Sequence, residues 1–149
     1  MLDNDQVLAD LINHSDHKVV ALWAADCAER VLPYFDDAYP EDPRPNAAIE
    51  AARAWAHGTM KFTAVRKAAL DAHAAARDAQ SIPAACSAAR AAGHAAATAH
   101  VPRHAMGTAI YAVSAVRDAS PPADADAAMR GERGWQYQHL LAMAQSQST

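Results

Sequence analysis

The sequence predicts an all-α fold, a compact array of about six to eight antiparallel helices, and three observations carry that prediction. Alanine, the strongest helix former, supplies 41 of the 149 residues. Val, Ile, Leu and Phe together supply only 22, so β-branched and aromatic residues are too sparse to fill strands. Apolar residues recur at helical spacing between short stretches of Pro, Gly and Ser. The hydrophobic fraction of 52% therefore describes small side chains, which let helices approach closely, rather than a bulky core. The length suits one domain, taken as a single helical unit over 1–149.

The elements follow in order. Asp5–Asn13 carries Val7, Leu8, Leu11 and Ile12 on one face. Asp16 is placed to cap a helix from about His17 to Leu32, with Val19, Val20, Trp23, Cys27 and Val31 on its apolar face. Pro33 is expected to kink or end it, with a short continuation through Tyr34–Ala38. The segment from Pro40 to Pro45 reads as a stiff acidic linker outside any helix. Ala47–His57 stops at Gly58, which suits a left-handed cap. Lys61–Ala79, Ala84–His100 and Arg103–Ala119 follow, with Ser81 placed to cap the middle one. Beyond Pro121 and Pro122, a weak helix is expected around Asp124–Arg130, then a turn bracketed by Gly131 and Gly134. A last helix over Trp135–Ala144 would bury Tyr137, Leu140, Leu141 and Ala144, leaving residues 145–149 frayed.

Short connections make the four middle helices two antiparallel hairpins. A shift of 37 residues superposes Arg53 on Arg90, His57 on His94 and Arg66 on Arg103, which suggests two related α-hairpins in HEAT-like right-angle or bundle stacking. Ile82, Cys86, Ala89, Gly93, Ala96 and His100 form a small-residue stripe expected to admit a neighbouring backbone.

Several function classes lose support at once. The longest uninterrupted apolar run near the start, Val19–Ala25, is far short of the roughly 20 residues a membrane span needs. The acidic, polar opening is the reverse of a signal peptide, so a cytoplasmic location is expected. Cys27 and Cys86 read as two reduced thiols. Basic residues are singly spaced and not interleaved with aromatics, against nucleic-acid binding. No GxSxG, catalytic-cysteine signature or phosphate-cradling loop occurs, so no catalytic residue and no cofactor is assigned.

Two constellations remain. Residues 1–50 hold 11 acids against three bases (−8), whereas the rest of the chain carries +4. Within the acidic part, Asp36, Asp37, Glu41 and Asp42 lie on the proline-stiffened loop and are expected to contact a basic partner. The second is a cleft lined by Arg53, Trp55, His57, His73, Arg77, Arg90, His94 and His100. Helical spacing puts Arg53 and His57, His73 and Arg77, and Arg90 and His94 on shared faces, and such a cleft would suit an anion or an acidic peptide. Eight histidines raise the question of metal, with stacked helices able to gather His57, His73, His94 and His104, but no HExxH or His-x3-His pair lies on one helix and no metal ligand is assigned.

Four stretches carry a family resemblance: Ala25-Asp-Cys-Ala-Glu-Arg-Val-Leu-Pro33, Arg44-Pro-Asn-Ala-Ala-Ile-Glu-Ala-Ala-Arg-Ala-Trp55, Ala72-His-Ala-Ala-Ala-Arg77 and Ala88-Ala-Arg-Ala-Ala-Gly-His-Ala-Ala-Ala-Thr-Ala-His100. In this order and spacing the chain resembles the immunity protein five-like family of bacterial polymorphic-toxin systems, over about 20–119, with 122–145 as a helical extension. The resemblance implies an all-helical cytoplasmic protein that binds and neutralises a cognate protein toxin, and it brings no catalytic residues to carry over; a monomer or homodimer that is not an enzyme is expected. Its recurrent positions here are Cys27, Glu29, Arg30, Arg53, Trp55, His73, Arg77, Arg90, His94 and His100. The alternative is a small-molecule or metal-binding helical domain that uses the His/Arg/Trp cleft.

Overall fold

The computed structural model describes residues 3–147, and among them the chain forms seven α-helices and no strand. They are α1 (Asp3–Asn13), α2 (His17–Asp36), α3 (Arg44–Ala56), α4 (Phe62–Asp78), α5 (Pro83–Ala97), α6 (His104–Ala119) and α7 (Ala125–Gln147). Ser148 and Thr149, part of the tail expected to fray, lie outside the described residues.

The alanine content explains the layout. Ala85, Ala88, Ala89, Ala91, Ala92, Ala95 and Ala96 are all buried, and they point to more than one side of α5. A helix buried on several sides belongs in the middle of a stack. Accordingly α5 packs against α2, α3, α4 and α6. The large apolar side chains sit instead on α2 and around it: Val20, Trp23, Val31 and Phe35 are buried with Leu8, Ile49 and Leu140. Helix α7 packs on α6 and α2, and α1 lies over α7 and α6. In α1, Leu8 and Ile12 face the core as expected, while Val7 stays exposed.

Local chemistry sets the helix ends. The Asp16 carboxylate accepts hydrogen bonds from the Lys18 and Val19 amides, capping α2. Gly58 closes α3 at φ +76°, a conformation that disfavours side chains. His17 Nε2 lies 2.6 Å from the Thr98 carbonyl oxygen, tying the start of α2 to the end of α5. Both cysteines are free thiols, and burial pushes the Cys27 thiol well above its ordinary range, with Glu132 and Asp26 adding to the effect.

Several boundaries differ from the expectation. Pro33 neither ends nor separates α2, which runs through it to Asp36; one backbone bond is lost, but Val31, Leu32 and Phe35 hold the last turns in the core. Helix α3 begins inside the expected linker, at Arg44, because Pro45 falls in the first turn, where a missing N–H costs nothing. Ser81 does not cap α5; Ile82 precedes Pro83 there with no side-chain cap. The same helix stops at Ala97, so His100 lies in the turn after it. The small-residue stripe is thereby shortened, since Ile82 is exposed and His100 is beyond the helix. The Gly131–Gly134 turn does not form either, and α7 is continuous through both glycines. Its side chains explain why: Glu132, Arg133 and Gln136 are all buried and bonded to other helices, which overrides the poor helix propensity of glycine. The superposed pairs of the 37-residue shift do not share surroundings. Arg53 holds carboxylates and Arg90 an imidazole, while His57 is exposed and His94 half-buried.

Candidate functional site

The residues expected to line one cleft separate into a polar seam and a band of rings. The seam fastens α3 and α7 to α2. Arg53 donates to Asp26 at 2.9 Å, to Glu29 at 2.9 Å and to Glu50 at 3.1 Å, and these carboxylates hold its guanidinium firmly protonated. Asp26 uses its other oxygen for His139 Nε2 at 2.8 Å. One turn on, Arg30 grips Glu132 through two bonds of 2.9 and 3.0 Å and lies 3.9 Å from the Trp135 ring centre, against which His139 also stacks. Trp23 Nε1 donates to the Gln136 carbonyl, and the Gln136 amide donates to the Ala109 carbonyl. Asp26, Glu29, Arg30 and Arg53 therefore work as fasteners between helices. Nothing in the sequence pointed to the α7 partners of Arg30 and Asp26, because those contacts span more than 100 positions.

The band crosses the α3–α4–α5–α6 side. His17 packs on Trp55 (4.6 Å between ring centres), Trp55 on Phe62 (6.2 Å), and Phe62 on His100 (5.2 Å). Further along this side, His104 lies 5.6 Å from His94. His94 in turn meets His73 edge-on at 5.2 Å and stacks on Tyr111 at 5.3 Å. Arg90 Nη1 closes the row, 2.9 Å from His73 Nδ1, and Arg77 lies near enough to act on the same ring. Of the eight residues expected in a cleft, Trp55, His73, Arg77, Arg90, His94 and His100 thus belong to the band, and Arg53 and His57 do not. His17, Phe62 and Tyr111 join it unforeseen. The available signal was glycine within helices: Gly93 and Gly107 stand where rings need room.

That room is narrow. A Cβ on Gly93 would come within 2.7 Å of the His73 ring, and a Cβ on Gly107 within 2.7 Å of His94 Nδ1. The stripe at Gly93 therefore admits an imidazole from α4, not the neighbouring backbone that its spacing suggested. A guanidinium only donates, so His73 Nδ1 accepts from Arg90 and the ring proton sits on Nε2. His94 Nδ1 is buried against α6 with no hydrogen-bond partner among the described residues, so its proton is also best carried on the other nitrogen. Burial, reinforced by the neighbouring histidines and Arg90, lowers the His94 pKa to about 4. Burial also lowers those of His73, with Arg90 and Arg77 contributing, and His104, with Arg103 contributing. Among the described residues no three His, Cys, Asp or Glu side chains converge as a metal-holding group.

The acidic loop lies against the last turn of α4. Asp42 is held by Arg44, which also reaches Asp78 at 2.8 Å, and this lowers the Asp42 pKa. Asp37 and Glu41 are exposed. Burial raises the Asp36 pKa, with the charges of Asp37 and Asp42 adding to the rise. Residues 38–44 enclose a shallow hollow.

Two predictions follow from the seating of the rings. Gly93→Ala should destabilise by about 1–3 kcal/mol through overpacking, despite alanine's better helix propensity, and His73→Ala should relieve part of the cost. Gly131→Ala and Gly134→Ala, where nothing lies within 4 Å, should instead stabilise by about 0.5–1 kcal/mol each. Denaturant unfolding of the variants checks both signs. The second prediction concerns pH. The lowered imidazoles take up protons more readily in the unfolded chain, so stability is full above about 6.5 and declines from there toward about 4. The loss should be roughly 1–2 kcal/mol, less than the full pKa shift implies because solvent reaches the rings. Replacing His94 by Gln should flatten that slope in urea unfolding measured across the same pH window.

The chain's similarity to known proteins bears on this geometry. Residues 10–143 match the family described as "Imm-5 like putative immunity protein". The match extends beyond the 20–119 span of the motifs and takes in most of α7, the helix that the Arg30 and Asp26 contacts fasten. No curated protein and no solved structure matches the chain. Within the described residues no helix is long and apolar enough to cross a membrane. With nearly its whole helical body inside the match, the chain belongs to the Imm-5 like immunity protein family.

Proposed function

We propose that this protein binds a cognate bacterial toxin in the cytoplasm and neutralises it by occlusion, covering the toxin's working surface without chemistry of its own. Membership of an immunity-protein family is the observation that carries this reading. Two structural features support it. The polar groups Arg53, Arg30 and Asp26 are committed to holding helices together. The imidazoles of the band are packed on glycines and on each other, an arrangement that favours rigid presentation over proton transfer.

The acidic loop is our choice for the first contact with a basic toxin surface. Asp36, Asp37 and Glu41 offer charge, while Asp42 contributes by holding Arg44 and so fixing the loop's course. Charge at such a rim acts mainly on the association rate and on partner choice. The test measures binding to the product of the gene adjacent to this one. Asp36→Asn, Asp37→Asn and Glu41→Gln together should slow association severalfold at low salt, and the difference should close as salt screens it. An unchanged rate removes the loop from the contact. Failure of the unaltered protein to bind that product or to protect cells from it removes the reading as a whole.

A further inference from the structure

The arginines differ in their partners: Arg130, on α7, forms no ion pair among the described residues, and the other nine fall into two groups. Arg30, Arg44, Arg53, Arg117 and Arg133 each hold a carboxylate. Arg66, Arg77, Arg90 and Arg103 form no ion pair among the described residues, and they lie on α4, on α5 and just before α6. The acids of those three helices are already engaged: Asp71 by Lys67, Asp78 by Arg44 and Asp118 by Arg117. Helix α5 has no acid at all. Thus none of the charges that act on His73, His94 or His104 is negative.

Helical spacing collects these groups. Arg66, Leu70, His73 and Arg77 share one face of α4, and Leu70 is 57% exposed in the middle of it. Arg90 and His94 share the adjoining face of α5, and His104 with Tyr111 the next on α6. The hydrogen-bonding character is one-sided as well. The guanidinium groups only donate, His73 is held in its Nε2–H form by Arg90, and the partnerless Nδ1 of His94 leaves Nε2 to carry the proton. A surface of donors on helices whose acids Asp71, Asp78 and Asp118 are already paired matches an acceptor of negative charge, and the exposed Leu70 beside it matches a side chain rather than a free ion.

We propose that this α4–α5–α6 face is the receptor for a carboxylate-bearing segment of the partner protein, with Arg77, Arg90 and the imidazoles of His73, His94 and His104 as its donors. The proposal rests on the toxin-binding reading for the identity of the partner, though the surface chemistry stands without it. It adds an orientation to that reading. The Arg44–Asp78 ion pair ties the acidic loop to the last turn of α4, beside Arg77. The negative loop and the cationic face therefore meet, and a partner with the opposite arrangement of charge docks in one direction only.

The test titrates the full chain with octaglutamate at low salt and follows the imidazole resonances by NMR, with octalysine and inorganic phosphate as further probes. Octaglutamate should bind saturably, shift His73, His94 and His104, and weaken with added salt. The exposed pair Arg66→Gln and Arg77→Gln, which leaves the packing untouched, should weaken it about tenfold, and Arg90→Gln should do the same. Failure to bind, binding undiminished in the exposed pair, or binding that shifts none of these rings would overturn the proposal. Phosphate binding as tightly at the same rings would overturn the protein segment as occupant. The adjacent gene product then separates the two readings. If it is neutralised with unchanged affinity by Arg66→Gln and Arg77→Gln, the face is not the receptor. If octaglutamate binds as described but no toxin is neutralised, the toxin-binding reading fails and the face remains a carboxylate receptor.

Discussion

Everything in this fold depends on how closely its neighbours approach α5. That helix presents almost nothing larger than a methyl group to α2, α3, α4 and α6. Close approach supplies the dispersion energy that bulky side chains supply elsewhere, and alanine loses no side-chain entropy on burial. The same closeness leaves no slack. Where a large ring must cross the seam it needs a slot, and Gly93 and Gly107 are those slots, for His73 and His94. The packing of the stack and the arrangement of the imidazole row are one constraint seen from two sides.

The outer helices use a different physics. Helices α3 and α7 add to their apolar contacts with α2 a set of paired polar groups: Arg53 with Asp26 and Glu29, Arg30 with Glu132, and Asp26 with His139. Each pair is partly exposed and modest alone, but the groups are shared and form a network. This accounts for the charged residues Asp26, Glu29, Arg30 and Arg53 within the family motif. The division leaves Arg66, Arg77, Arg90 and Arg103 on the α4–α5–α6 side without carboxylates among the described residues.

Much of the fold was legible because alanine abundance and helical periodicity are local signals. The Asp16 cap, the Gly58 cap and the apolar face Val19–Val31 could be read directly. The misses share a cause. Pro33, Pro45, Gly131 and Gly134 are local helix breakers, and each was overridden by, or compatible with, a context that the local pattern does not contain. For Pro33 it is the burial of Phe35, for Pro45 its position in a first turn, and for the glycines the distant partners of Glu132 and Gln136. The site was half legible for a similar reason. Spacing placed Arg90 with His94 and His73 with Arg77, but the pairing of His73 with Arg90 across helices, and the loss of Arg53 to the acids of α2, needed the tertiary fold.

The central claim is that the rings seated on Gly93 and Gly107 are neutral, fixed in one tautomer and turned into donors. Long-range nitrogen–proton correlation spectra of the imidazoles at pH 7 test it most directly. The account predicts neutral His73 and His94 with the proton on Nε2, and an Nδ1 of His73 shifted as an acceptor from Arg90. A protonated His73 or His94 at that pH, or a proton on Nδ1 of either ring, would contradict it.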